Sequence, residues 1–224
     1  MLGQVLTRMK NQERTSKIPM AKTSAVVFDC DGVMFDSRQA NINFYNHVLQ
    51  HFCLPPMTDE KVSFVHMHTA EESIREIFAG TPFVDQAQAY RWKIDYTPFI
   101  RDMVMEHGLK QLLDLLKPSF GLAVATNRSN TIGTVLSSNG LESYFDIVVS
   151  SQDVKNPKPH PEPLLKILQF FAIGPREAFY VGDSMVDYET ARAAAVPFIA
   201  YKNRVLDAAH HVDHLMEVAD IVMK

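Results

Sequence analysis

From Ser24 onward the chain switches between two apolar patterns. Ala25-Val26-Val27-Phe28 is short, uninterrupted and rich in β-branched residues, and it runs straight into Asp29. A run that is apolar on both faces and stops at a charge predicts a buried strand of a parallel sheet, with its carboxyl end open to polar groups. The pattern repeats in Leu122-Ala123-Val124-Ala125 before Thr126, in Ile147-Val148-Val149 before Ser150, and in Phe179-Tyr180-Val181 before Gly182-Asp183. Pro197 to Ala200 and Ile221 to Met223 are further candidate strands. Between these runs apolar residues recur at helical spacing: Leu112, Leu113, Leu115 and Leu116; Ile132, Val135 and Leu136; Leu164, Leu165, Ile167 and Leu168; and the alanine-rich stretch Glu189 to Ala195. Strands alternating with helices predict an α/β fold, a doubly wound parallel sheet covered on both faces, which places its chemistry at the carboxyl ends of the strands.

One long segment breaks the alternation. From about Arg38 to Glu106 no strand-like run occurs. Ile42, Tyr45 and Leu49 suit one helix face, Thr69 with Glu72 makes a capping box ahead of Ile74 and Ile77, and Asp85 to Met105 reads as a helical stretch that Pro98 interrupts. The expected organisation is an arm at 1–22, an α/β core at 23–37 and 107–224, and a helical cap at 38–106 inserted after the first strand. The cap would leave and rejoin the core near Asp36-Ser37 and His107-Gly108.

Composition narrows the class. With 46% hydrophobic, 21% charged and 10% aromatic residues the chain is ordinary globular material, not disordered or fibrous. A formal net charge of −4 gives no bulk attraction to nucleic acid or an anionic membrane surface. Cys30 and Cys53 suit neither a disulfide framework nor a zinc site, so a reducing, cytoplasmic setting is expected. The stretch before Thr23 is basic, with Arg8, Lys10, Arg14, Lys17 and Lys22 against Glu13, and reads as a frayed arm, with Met20 a candidate for the true start.

Candidate chemistry gathers at the strand ends. Asp29-Cys30-Asp31-Gly32 sets two carboxylates on alternate positions after the first strand, with Gly32 permitting a sharp turn. Thr126-Asn127 supplies a hydroxyl and an amide, Lys158 stands in Pro157-Lys158-Pro159-His160-Pro161, and Asp183 and Asp187 follow a further strand. Alone, two aspartates in a turn are ordinary turn chemistry. Four carboxylates and one lysine at one sheet edge repel one another unless a cation joins them, and an oxygen-rich, histidine-free donor set suits Mg²⁺ rather than zinc.

Together Asp29-x-Asp31-Gly, Thr126-Asn127, Lys158-Pro-x-Pro and Gly-Asp183-x-x-x-Asp187 resemble the four ordered motifs of the haloacid dehalogenase-like hydrolases, from about Thr23 to Ala200. The insert between the first two motifs resembles the helical cap of the subgroup that contains phosphoglycolate phosphatases and β-phosphoglucomutases. The resemblance implies that Asp29 is the nucleophile that forms an aspartyl-phosphate, and that Asp31 is the general acid and base, shared between protonated and ionised forms near neutral pH. Thr126, Asn127 and Lys158 would bind the phosphoryl group. Mg²⁺ would sit against Asp29, the backbone carbonyl of Asp31, and Asp183, with Asp187 behind it orienting a bound water or Lys158.

An acid at Asp31 and an acidic last motif imply phosphoryl transfer, not dehalogenation. The expected function is Mg²⁺-dependent hydrolysis of a small phosphorylated metabolite of the phosphoglycolate or sugar-phosphate type. A β-phosphoglucomutase-like mutase is the alternative, weakened because Ala70 stands where that group carries an arginine and His66 lies near its lysine; a binding module without turnover is a further one. Oligomeric state and physiological substrate are left open.

Other conspicuous residues have plainer readings. His66 and His68 read as residues of the cap surface, Lys155 as a solvated loop residue, and Cys30 as a small packing group pointing away from the phosphate. Tyr90, Trp92 and Tyr96 read as aromatics buried among cap helices, and His210, His211 and His214 as part of a solvated helix.

Overall fold

The structure is a computed structural model that describes residues 23–224, so the basic arm and Met20 lie outside the described residues. The chain begins with β1 (Ala25–Phe28) and the short β2 (Phe35–Asp36), then passes through five helices: α1 (Arg38–His51), α2 (Asp59–Met67), α3 (Ala70–Ile77), α4 (Val84–Arg91) and α5 (Thr97–Ile100). It returns through β3 (Val104–Met105) to α6 (Leu109–Leu116), β4 (Gly121–Ala125), α7 (Thr131–Ser138) and β5 (Ile147–Val149). The remainder is α8 (Glu162–Phe171), β6 (Ala178–Gly182), α9 (Met185–Ala194), β7 (Phe198–Tyr201), β8 (His210–Val212) and α10 (Glu217–Val222).

Among the described residues a six-stranded parallel sheet runs in the order β5-β4-β1-β6-β7-β8. β1 lies between β4, which leads to Thr126-Asn127, and β6, which leads to Asp183, and Phe28 pairs level with Val124 on one side and Val181 on the other. The strand ends at Asp29, Thr126 and Asp183 therefore emerge together, at the point where the strand order reverses direction.

The doubly wound arrangement follows from side-chain alternation. Val26, Phe28, Leu122, Val124, Phe179 and Val181 point to one face, against the leucines of α6 and the apolar sides of α7 and α10. Ala25, Val27, Ala123, Ala125, Ala178 and Tyr180 point to the other, against α8 and α9. Both faces are dry, which explains why the strands read as continuous apolar runs rather than alternating ones.

Two expectations near the C terminus are corrected. Ile221 to Met223 does not add a strand: α10 covers this stretch and buries Val218, Ala219 and Val222, an i, i+1, i+4 set that forms a helical stripe. His210 and His211 lie in β8, not in a helix, because Ile199, Ala200 and Tyr201 of β7 offer an open edge that pairs with His210, His211 and Val212. His214 follows that strand.

Helices α1 to α5 lie between β2 and β3, which pair antiparallel, Phe35 with Met105 and Asp36 with Val104. The Thr69 capping box forms as expected: the Glu72 amide donates to the Thr69 hydroxyl at 3.3 Å and the Glu72 carboxylate accepts the Thr69 amide at 3.0 Å. Ile74 and Ile77 are buried behind it. Pro98 falls in the first turn of α5, where no intrahelical N–H is needed, and the expected long helix is two helices with a turn between them. Phe44, Tyr96 and Phe99 pack edge to face or tilted at 5.4–5.7 Å and bind α1 to α5. Among the described residues, no helix is long and apolar enough to cross a membrane.

Candidate active site

The loop after β1 turns back on itself, with the Gly32 amide donating to the Phe35 carbonyl at 2.8 Å and the Met34 amide to the Cys30 carbonyl at 3.0 Å. Gly32 has φ +80°, and a Cβ there would lie 2.1 Å from Asp183 Oδ2. The glycine thus provides the turn and the space into which the Asp183 carboxylate fits. Cys30 is fully buried in the core, and that burial pushes its thiol well above the ordinary range.

Lys158 organises the centre. Its Nζ donates to Asp29 Oδ1 at 2.8 Å, to Asp187 Oδ1 at 2.6 Å and to the Tyr180 hydroxyl at 3.0 Å, and the ammonium is almost completely buried. Burial alone would push this lysine down, but the charges of Asp187 and Asp29 outweigh it and hold the lysine above its ordinary value. Asp187 spends every oxygen on the protein, accepting from Tyr180 at 2.6 Å as well as Lys158, and from the Ser184 hydroxyl at 2.6 Å. Burial works against its charge, yet Lys158 and these hydrogen bonds keep its carboxyl below the usual range.

Asp29 and Asp183 are left in charge excess. Burial first, then the charge of Asp187, raises Asp29 to about 7 despite Lys158. Asp183 is pushed well above the usual carboxylate range by burial and by Asp187 and Asp29, and among the described residues its carboxylate takes no hydrogen bond or ion pair. One oxygen from each of Asp29, Asp183 and Asp187 falls within 4.8 Å of the others. Three clustered acids against one ammonium, with one of them unpartnered beside a glycine cradle, fit a hard divalent cation. Since Asp187 is saturated by protein donors, Asp29 and Asp183 are the side chains free to hold it.

Asp31 departs from expectation. Arg128, which follows Thr126-Asn127 and was not a candidate from the sequence, grips it with both ends of its guanidinium, Nη2 to Oδ1 at 2.6 Å and Nε to Oδ2 at 2.8 Å. Ser37 donates a further short hydrogen bond to Oδ1. Burial pushes Asp31 up, but the charge and paired hydrogen bonds of Arg128 prevail, and the carboxyl lies below its ordinary range rather than poised near neutrality. Arg128 also donates to the Tyr96 hydroxyl at 3.0 Å, linking Asp31 to the inserted helices.

Thr126 is buried, and its hydroxyl oxygen accepts the Arg128 amide at 3.1 Å, leaving its proton available to an incoming oxygen. Asn127 is differently committed. Its Nδ2 donates to the backbone carbonyls of Met67 and Lys158 at 3.3 and 3.1 Å, while Oδ1 is buried and finds no partner among the described residues. It ties α2 to the lysine loop.

A cavity of about 240 Å³ joins these groups to the inserted helices, its wall including Asp29, Asp31, Thr126, Lys158 and Asp183. His66 and His68 also line it, rather than the cap surface expected of them, because α2 runs along the cavity; His66 Nδ1 lies 3.4 Å from Asn41 Nδ2 and His68 Nδ1 2.9 Å from the Phe64 carbonyl. Lys155 is exposed. Tyr96 is buried against Phe44, Tyr90 is half-buried and stacks on His51, but Trp92 is exposed, with the Arg91 guanidinium over its ring.

Residues 26–201 match the sequence profile of the haloacid dehalogenase-like hydrolase family. The chain belongs to that family. A phosphoglycolate phosphatase of Chromobacterium violaceum is 30% identical over 204 residues, covering 83% of this chain and 87% of the relative. Pyrophosphatase PpaX of Bacillus velezensis is 28% identical over 180 residues, covering 77% and 80%. Among solved structures, a subfamily IA hydrolase of Geobacter sulfurreducens superposes with a TM-score of 0.80 at 43% identity, covering 89% of this chain and 99% of its own. The expected family holds, and so does the expectation of a phosphate-ester hydrolase.

Proposed function

We propose that this hydrolase is a Mg²⁺-dependent phosphatase of a small phosphorylated metabolite, of the phosphoglycolate or sugar-phosphate type, working through an aspartyl-phosphate on Asp29. The observation that carries the reading is the Asp29 carboxylate on the wall of a small cavity, gripped by a lysine that Asp187 and Tyr180 in turn hold in place. Asp29 attacks phosphorus and the ester oxygen leaves; water then attacks the aspartyl-phosphate and returns free Asp29. Thr126 donates its hydroxyl proton to a phosphoryl oxygen while Lys158 balances the charge. Asp31 gives a proton to the leaving oxygen and takes one from the water, which requires it to loosen from Arg128 in the first step and suits its ionised state in the second. Asp29 and Asp183, with the Asp31 carbonyl, would hold Mg²⁺, which when bound would neutralise phosphoryl charge.

Residues 38–106 serve as the cap over a core of 23–37 and 107–224, excluding bulk water and selecting the leaving group. Ala70 lines the cavity and brings no charge at the position where the mutases carry an arginine, which supports hydrolysis, while the cation on the inserted side of the cavity is Arg91 of α4. The test is phosphate release from a panel of small esters with Mg²⁺ and with EDTA, using Asp29→Asn as the blank. Metal-dependent release that vanishes in the variant is expected; equal release by the variant would remove Asp29 from its role.

A further inference from the structure

The cavity wall carries three strong cations, and two are already paired. Lys158 meets Asp29 and Asp187, and Arg128 meets Asp31. The third, Arg91 at the last turn of α4, is half-buried, and among the described residues no carboxylate lies within ion-pair distance of it. Partial burial pushes its guanidinium below the ordinary value against the pull of Tyr45 and of Glu71, whose carboxylate lies beyond ion-pair distance.

The group is nonetheless held in place. Arg91 Nε donates to Gln88 Oε1 at 2.7 Å, Gln88 Nε2 donates to the Glu71 carbonyl at 2.8 Å, and the guanidinium carbon stands 4.2 Å from the centre of the Trp92 ring. These contacts fix the plane through Nε and leave the two terminal amino groups without hydrogen bonds. Two parallel donors on a fixed plane match a carboxylate or a phosphoryl group. Asp95, on the same wall, is exposed and accepts the Thr97 amide at 3.0 Å. Arg91, from the inserted helices, and Asp29, just past β1, line the same cavity, so a leaving group that fills it from a phosphorus at Asp29 meets a wall that carries Arg91.

Resting on the phosphatase reading above, we propose that Arg91 is a specificity residue and that the preferred substrate carries a second anionic group, carboxylate or phosphoryl, on its leaving group. The test uses three esters of one size class: phosphoglycolate, ethylene glycol bisphosphate and, as the uncharged reference, 2-hydroxyethyl phosphate. The wild-type enzyme with Mg²⁺ should favour one or both anionic esters in kcat/KM, and the ester preferred identifies the anion. A charge-assisted hydrogen-bonded contact predicts that Arg91→Met and Arg91→Gln lower the anionic-to-neutral ratio about 10- to 100-fold, mainly through KM, and that Arg91→Lys restores part of it. A ratio unmoved in both neutral variants, or no preference in the wild type, overturns this inference while the phosphatase reading stands. Release by the wild type from neutral sugar phosphates but from none of the three overturns this inference alone, and no release from these or any ester of the wider panel overturns both.

Discussion

Lys158 and Lys155 share one loop and meet opposite surroundings. Lys155 is exposed, whereas Lys158 neutralises two buried acids. Lys158→Ala strands Asp29 and Asp187 without a cation, and a loss of about 3–5 kcal/mol is expected in denaturant unfolding, together with loss of turnover. Lys155→Ala should stay within about 0.5 kcal/mol and remain active; the reverse ranking would reassign the lysine. Arg128→Met should likewise destabilise the protein, in a pH-dependent way. The folded-state carboxyl of Asp31 is depressed, so the pair contributes fully above the unfolded value of about 3.9 and fades as pH falls through the folded one. The penalty of Arg128→Met should therefore be largest near neutrality and shrink on acidification, and a penalty independent of pH would mean that Arg128 acts by packing alone. Asp29, Lys158 and Asp183 were legible because each stands at or just past a strand end or beside a proline signature. Arg128 was not: its partner lies 97 positions away, and an arginine after Thr-Asn looks the same in sequence whether solvated or buried.

At the scale of elements, two glycines separate steric need from mere occurrence. Gly182 closes β6, and a Cβ there would lie 2.4 Å from the Asp187 Cβ and 2.9 Å from Phe198 Cε2. Gly182→Ala is expected to cost about 1–3 kcal/mol and to lower turnover by displacing Asp187, the residue that steadies Lys158. Gly133 lies inside α7 with nothing within 4 Å of its missing Cβ, so Gly133→Ala should raise stability by about 0.5–1 kcal/mol. Thermal melts of the pair check both signs. The central strands and the Thr69 cap could be read from local pattern because burial on both faces and capping leave local signatures. β8 could not, since His210-His211-Val212 becomes a strand only by pairing with β7, and α10 was hidden because its terminal Ile221-Val222-Met223 mimics a strand run.

For the whole molecule, the acid cluster predicts a stability that depends on cation and pH together. Asp29 is raised to about 7 and Asp183 also lies above its ordinary range, so their contribution is present at low pH and is lost as pH rises through the folded values. A divalent cation held by the ionised forms would offset that loss. The gain in melting temperature from saturating Mg²⁺ is expected to be larger at about pH 8 than at about pH 5.5, and EDTA should erase it. An equal gain at both values would argue against Asp29 and Asp183 as the ligands.

The ladder of Phe35-Asp36 against Val104-Met105 means that the chain departs from the sheet and returns to it at hydrogen-bonded neighbours. The pairing of β1 with β4 and β6 is thus closed without any strand from what lies between those two short strands. On the proposal that this stretch selects the leaving group, a different contiguous segment joined at the same two rungs is expected to redirect the enzyme to another ester while the acids and the lysine at the strand ends stay where they are.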